Sequence, residues 1–369
     1  MNDNTIFIFD AHAGMKLSRD IILSDGSLLA PKDTVLTPSL IAKISSLHVL
    51  EINIYNAEED SAAQAERNAA LARTDVDNIN YYERVRNSDE FKHFESEYNV
   101  NVDSVKDNLN SFLTAENNID TDTMVSETMN ILSEARNSLQ MFDMLHAMRN
   151  KDDITFVHSV NVALIASIIG KWLNFNDEQI KTLTLAGLLH DIGKLLVPDN
   201  ILNKPGTLTD NEYEIMKHHV NLGYEQIKDK KLPLPVKEAI LLHHEKCDGS
   251  GYPFGLKSPD IPAVAKIITI ADVYDAMTAS RIYRAPICPF EVVKMMYQDA
   301  FTKFDPIYAI PFLKNVVASY IGTNVKLSDG RTGNVVLIND NALDKPIVQC
   351  GNDYVNLSKN SGLSIVSLI

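Results

Sequence analysis

From about residue 123 to residue 320 the sequence repeats apolar residues at helical spacing almost without a break, and the polar residues set into that pattern are histidines and aspartates. Phe156, Val157, Val160, Leu164, Ile168 and Trp172 mark one apolar stripe, with His158 lying on the same helix. Thr209-Asp210-Asn211-Glu212 is a capping box ahead of a helix expected to run to about Lys228. Pro262 and Pro289 each stand where a first helical turn would start. Burying a charged group is costly unless it is paired or bound to metal. Asp191, directly after His190, and Asp272, in the apolar run 267–271, therefore each need a partner. The expected fold class is mainly α, a helical domain carrying a small α+β module before it and a small β module after it.

The flanks supply those modules. Residues 1–56 read as an accessory α+β module, with strands at 6–9 and 51–55, a hairpin turn at Ser24-Asp25-Gly26-Ser27, and a short helix opened by Thr37-Pro38. Residues 57–122 read as an acidic, partly helical linker. Between residues 56 and 130 there are 17 acids against 6 bases, most of the net charge of −15 that the whole chain carries. The helical domain spans 123–320, and short strands around 325–327, 333–338 and 346–349 form the C-terminal β module over 321–369.

Composition narrows the function classes. With 45% apolar and 22% charged residues the chain has the composition of a globular protein and is not disordered throughout. Its acidic balance argues against a nucleic-acid polymer as partner, which needs a basic footprint. No uninterrupted apolar stretch approaches the ~18–20 residues of a membrane span, and the first residues do not read as a signal peptide. Three cysteines, odd in number and far apart, fit a reducing compartment, and a cytoplasmic protein is expected.

The chemistry lies in the histidines. His218-His219 and His243-His244 are adjacent pairs, His190-Asp191 sets an imidazole beside a carboxylate, and His158 and Asp272 complete the set. Neutral imidazoles and carboxylates repeated on helices that must pack together are how helical folds build di-metal sites. The ligand types suit Fe, Mn or Zn rather than a thiolate centre. Adjacent His243 and His244 would point ~100° apart on a helix, so both can bind most easily at a helix end. A carboxylate can bridge two ions, and two ions ~3.5–4 Å apart can hold a hydroxide and neutralise a phosphoryl group under attack. Lys194, Arg281 and Arg284 are cations suited to an anionic substrate. The glycine-rich stretch Asp248-Gly249-Ser250-Gly251-Tyr252-Pro253 is close enough to the second pair to line the same pocket.

His190-Asp191-Ile192-Gly193-Lys194, followed by His243-His244-Glu245-Lys246-Cys247-Asp248-Gly249-Ser250-Gly251-Tyr252-Pro253, resembles the HD-GYP family of cyclic di-GMP phosphodiesterases, within the HD superfamily of metal-dependent phosphohydrolases. The likeness continues through residues 271–278 and Arg281-Ile282-Tyr283-Arg284. It implies one metal on His158, His190, Asp191 and Asp272 and a second on Asp191, His219, His243 and His244. It further implies Asp191 and Lys194 as catalytic residues, and Lys194, Gly251, Tyr252, Pro253, Asp275, Arg281 and Arg284 as substrate-binding ones. The implied reaction is hydrolysis of cyclic di-GMP to linear pGpG, or on to GMP, through a metal-bridging hydroxide. Two divalent ions serve it, iron ahead of manganese. A homodimer and a signalling partner at the N-terminal module are interactions such an arrangement allows. Two departures stand out: Cys247 takes a place usually held by a larger residue, and Ile154 stands one turn before His158, where some members have a Glu that supports a third metal. Ile offers no ligand atom, so two metals and a reaction stopping mostly at pGpG are expected. A catalytically weak cyclic-dinucleotide receptor, or a hydrolase of another cyclic dinucleotide such as cyclic GMP-AMP, are the alternatives.

Overall fold

The computed structural model describes the chain apart from residues 1–2, 9–10, 12, 23–26, 38–39, 42, 45–48, 50, 56–80, 116–119, 149–153, 205–207, 279–286 and 361. Arg281 and Arg284, and the turn expected at 24–27 except for Ser27, lie outside the described residues.

At the N-terminus β1 (Asp3–Phe7) pairs antiparallel with β4 (Glu51–Tyr55), and β2 (Ile21–Ile22) with β3 (Leu28–Ala30). The first strand begins three residues earlier than expected. This sheet lies against the helix Asp210–Lys217 of the helical domain.

A helical stretch at 81–87 leads into α1 (Asp89–Ala115), α2 (Thr121–Glu134) and α3 (Ser138–Ala147). Asp120 and Asn137 cap α2 and α3, each side chain accepting from the backbone N–H three residues on. α4 (Ile154–Trp172) and α5 (Asp177–Leu189) form the most extensive helix pair of the molecule. Residues 155–172 are long and apolar enough to cross a membrane by length and composition, yet 72% of that window is buried inside the bundle. It is a core helix, and its apolar character comes from contact on all sides.

A short helix α6 (Asp199–Leu202) precedes α7 (Asp210–Lys217) and α8 (His219–Ile227). The Thr209 capping box is formed in both directions. The single helix expected from there to Lys228 is two, because at His218 the chain closes a tighter turn, its N–H donating to the Ile215 carbonyl three residues back. α9 (Leu234–Leu242), α10 (Ala263–Thr278), α11 (Pro289–Asp299) and α12 (Pro306–Ser319) complete the domain, with α11 starting at Pro289 and α10 just after Pro262.

The C-terminal strands β5 (Asn324–Leu327), β6 (Thr332–Leu337), β7 (Ile347–Cys350), β8 (Asp353–Asn356) and β9 (Ile365–Leu368) make one antiparallel sheet in the order β8-β7-β6-β5-β9. Alternate residues such as Val325 and Leu327 are buried, as a half-covered sheet requires.

Candidate metal centre and active site

Helix ends build the site. α5 stops at Leu189, His190 caps it, and Asp191 leaves helical geometry (φ −102°, ψ 12°) before a 3-10 turn over Ile192–Leu196. Two consecutive side chains can thus point into one place, which a continuing helix would forbid. α9 ends at Leu242 in the same way, leaving the His243 and His244 rings 4.2 Å apart. The break at His218 puts His219 at the start of α8. Helix α4 brings His158 and α10 brings Asp272. A Cβ on Gly193 would collide with the His219 carbonyl, so this glycine is what lets the turn after Asp191 sit against α8. Thr269 ties α10 to α9, its hydroxyl donating to the His243 carbonyl at 2.6 Å.

Seven side chains converge. Asp191 Oδ1 lies 3.3 Å from His219 Nε2 and 3.7 Å from His243 Nε2, while its Oδ2 lies 3.2 Å from His190 Nε2 and 3.7 Å from His158 Nε2. Asp272 reaches His158 Nε2 at 3.0 Å and His244 Nδ1 at 3.9 Å. Two sets offer ligand atoms within 4.8 Å of one another: Asp191, His219, His243 and His244, and His158, His190 and Asp272. Asp191 stands between them.

The donor chemistry fits metal ions. Nδ1 of His190 faces the Gly187 carbonyl at 2.7 Å, that of His219 faces Met216 at 2.7 Å, and that of His243 faces Ala239 and Ile240, both at 3.1 Å. Only an N–H can donate to a carbonyl, so Nδ1 carries the proton and each Nε2 presents a lone pair to the centre. The lone pairs of His219 and His243 then face each other at 3.4 Å, and those of His190 and His219 face carboxylate oxygens. Such acceptor-to-acceptor contacts are satisfied by a shared cation. His190 Nε2 and Asp191 Oδ1 are buried without a hydrogen-bond partner among the described residues. Burial lowers His243 to about 4 and holds His244 well below its ordinary value, with the neighbouring His243 adding to the effect, so both stay neutral as ligands must. Burial opposes ionisation of Asp191, but His190 and Lys194 outweigh it and keep the carboxyl well below the usual range. Burial likewise disfavours a charged His158, but Asp272 and Asp275 raise it to about 10, a measure of how much positive charge that position attracts.

Around the ligands, Lys194 Nζ donates to Asp191 Oδ2 at 2.7 Å while remaining partly exposed. The Tyr252 ring stacks on His244 at 4.7 Å between centroids, with Lys217 Nζ 5.9 Å from the Tyr252 ring centre. Gly251 packs so closely on the backbone at His244 to Lys246 that any side chain would clash there. Pro253 follows through a cis peptide. Cys247 is set back from the centre, its N–H donating to the Lys303 carbonyl.

Asp275, expected to bind substrate, is placed otherwise. It is only 4% exposed, one oxygen accepts from His158 Nδ1 at 2.7 Å and the other from Asn161 Nδ2 at 2.8 Å. It stands behind the His158 ring and orients it. Glu245 was quoted in the signature without a role. It is buried and accepts from the N–H groups of Phe254 at 2.7 Å and Leu256 at 2.8 Å, which holds the loop after Tyr252. Asn161, Thr269 and Tyr98 were not singled out at all, and only a helical-wheel comparison of residues 158 and 161 could have hinted at the first.

Residues 129–307 match the family model of the HD domain. The chain is 37% identical over 203 residues to a cyclic di-GMP phosphodiesterase of Pseudomonas aeruginosa, covering 55% of this chain and 49% of that protein. It is 33% identical over 184 residues to 3'3'-cGAMP-specific phosphodiesterase 2 of Vibrio cholerae, covering 49% and 35%. The chain thus spans about half the length, or less, of the curated relatives it matches. Among solved structures, an HDG"Y"P protein from Bdellovibrio bacteriovorus superposes with a TM-score of 0.50 over 84% of this chain and 98% of that one at 17% identity, a likeness of fold. With the His-His-Glu-x-x-Asp-Gly-x-Gly-Tyr-Pro run complete and the HD model matched over the helices that carry it, residues 129–307 of this chain are an HD domain that resembles the HD-GYP proteins.

Proposed function

We propose that the chain is a metal-dependent cyclic-dinucleotide phosphodiesterase that opens cyclic di-GMP to linear pGpG. The observation that carries this reading is the placement of Asp191, with one oxygen toward each of two sets of imidazole and carboxylate ligands. His158, His190, Asp191 and Asp272 would hold one divalent ion, and Asp191, His219, His243 and His244 the other. Bound there, the ions would supply Lewis acidity and an activated water for attack on phosphorus. The family pattern points to iron, with manganese as the alternative, and imidazole with carboxylate suits either.

The protein's own groups do the rest. Lys194, fixed by Asp191, sets a positive charge at the rim where a phosphate oxygen would lie. Tyr252, stacked on His244, offers an aromatic face to a base, and Gly251 and Pro253 fix its position. Arg281 and Arg284 are assigned to the substrate phosphates by their place in the family pattern. The same set would serve a cyclic GMP-AMP substrate, a reading favoured by the relative named for that activity.

Anaerobically purified protein with Fe(II) or Mn(II), presented with a panel of cyclic dinucleotides and with products separated by chromatography, tests the proposal. Metal-dependent appearance of pGpG with two ions per chain is expected. Binding of cyclic di-GMP without turnover under both metals would make the chain a receptor instead.

A further inference from the structure

A chain of hydrogen bonds leads out of the metal centre into a helix that lies before the residues matching the HD model. His158 Nδ1 bonds to Asp275 Oδ2 at 2.7 Å, Asn161 Nδ2 donates to Asp275 Oδ1 at 2.8 Å, and the Tyr98 hydroxyl donates to Asn161 Oδ1 at 2.6 Å, with the Val157 carbonyl a more distant acceptor at 3.2 Å. Tyr98 belongs to α1, within the segment that reads as an acidic linker, and is fully buried. Burial holds its hydroxyl far above the ordinary phenol range, so it remains a donor.

The order of donors matters. An amide can turn over, since its oxygen and nitrogen are nearly equal in size. Turned over, Asn161 would present its oxygen to the Asp275 carboxylate and push it away from His158. The Asp275 carboxylate, which can only accept, and the Tyr98 hydroxyl, whose nearer acceptor is Asn161 Oδ1 rather than the Val157 carbonyl, together select the orientation in which the amide N–H groups face Asp275. Asp275 can then accept from the Nδ1–H of His158, and His158 Nε2 is left directed at Asp272 and Asp191. Each link fixes the next, and outer groups of this kind tune how firmly a ligand holds its metal.

We propose that Tyr98 is a positioning residue of the metal centre, acting through Asn161 and Asp275 on His158, and that helix Asp89–Ala115 is therefore part of the working site rather than a spacer. This rests on the metal-centre reading above. It also gives anything that moves α1 a route to one of the two ions and not the other, because only His158's set lies at the end of the relay.

Stepwise titration of chelator-stripped full-length protein with Mn(II), followed by electron paramagnetic resonance, reads the two sites separately from activity. In Tyr98→Phe, which keeps the ring, one binding step should weaken about tenfold while the other holds, and the melting temperature of the stripped protein should change little. Phe94→Leu is the control: Phe94 packs against the Tyr98 ring on the same helix but takes no part in the hydrogen bonds of the relay, so it should lower the melting temperature and leave both steps intact. Asn161→Ala should weaken the same step, and adding Tyr98→Phe to it should cost nothing further, since both cut one path. Two unchanged steps in Tyr98→Phe, or an equal loss at both that tracks a lowered melting temperature, overturns the relay. A wild type that takes up neither manganese nor Fe(II) overturns the metal centre itself, and the relay with it.

Discussion

At the scale of single residues, the centre turns on Asp191, whose two oxygens serve different sets of imidazoles. Asp191→Ala should leave both cations poorly neutralised, so metal content and turnover should fall together; full occupancy in that variant, measured by elemental analysis, would refute the assignment. Glu245 has a separate task, holding the Tyr252 loop through two backbone N–H donors. A Gln there keeps one acceptor and turns an amide NH2 toward the other donor, losing a charge-assisted bond worth about 1.5–3 kcal/mol. Glu245→Gln should therefore raise KM for the dinucleotide by more than it lowers kcat, with both ions retained; unchanged steady-state kinetics would remove the loop from substrate binding. All seven side chains that converge at the centre could be quoted from the sequence because each is a chemically distinctive type in a fixed local spacing. Asn161 and Tyr98 could not, because their importance depends on which helices touch, and neither has a local pattern to mark it. Asp275 was legible as a site residue, but its contacts with His158 and Asn161 were not, since sequence order does not tell which way a helix faces.

At the scale of elements, long periodic helices and capping chemistry were readable, and tight breaks were not. The end of α7 at Lys217 depends on one turn at His218 that no proline or glycine announces. Strands β8 and β9 were not readable: of Asp353-Tyr354-Val355-Asn356 only Val355 is buried, and pairing with β7 makes it a strand. Helix α3 carries a further consequence. Burial raises the Asp143 carboxyl to about 7, only partly opposed by the Tyr81 hydroxyl donating to it at 2.7 Å. Tyr82, His146, Tyr274, Tyr320 and Cys288 are the other titratable groups around it. An acid whose folded value lies above its unfolded one binds more protons when folded, so its cost grows as pH rises from about 4 to about 7. The three-unit interval corresponds to a cost on the order of 4 kcal/mol. His146, lowered to about 3 by burial, acts in the opposite sense, costing stability as pH falls below 6.5. Comparison with Asp143→Asn isolates the acid: the variant should gain melting temperature over wild type as pH goes from 5 to 8. A difference that stays constant with pH would show that Asp143 is ionised in the folded protein throughout.

At the scale of the whole molecule, the span matched by the HD model and the span that folds are different things. The model covers residues 129–307, but α1 lies outside it and buries Phe91, Phe94, Tyr98, Val105, Leu109 and Phe112. Each large apolar side chain taken from water contributes roughly 1.5–3 kcal/mol. Six of them amount to on the order of ten kcal/mol, about the whole net stability of an ordinary domain at 5–15 kcal/mol. An acidic composition disguised this, because the charges of α1 occupy its outer face while aromatic residues at positions 91, 94 and 98 turn inward at helical spacing. The opposite end behaves differently: the C-terminal sheet buries its own Val325, Leu327, Val335, Val348 and Ile365. A fragment covering residues 121–369 should accordingly be insoluble or melt far below the full chain, whereas one covering 81–369, which keeps α1 and Tyr82, should stay folded and retain its metal. Thermal melts followed by circular dichroism, with manganese bound per chain measured alongside, compare the two. Should the 121–369 fragment melt within a few degrees of the full chain and bind manganese as tightly, α1 would be a dispensable cover, and the aromatic face it presents to the domain would need another explanation.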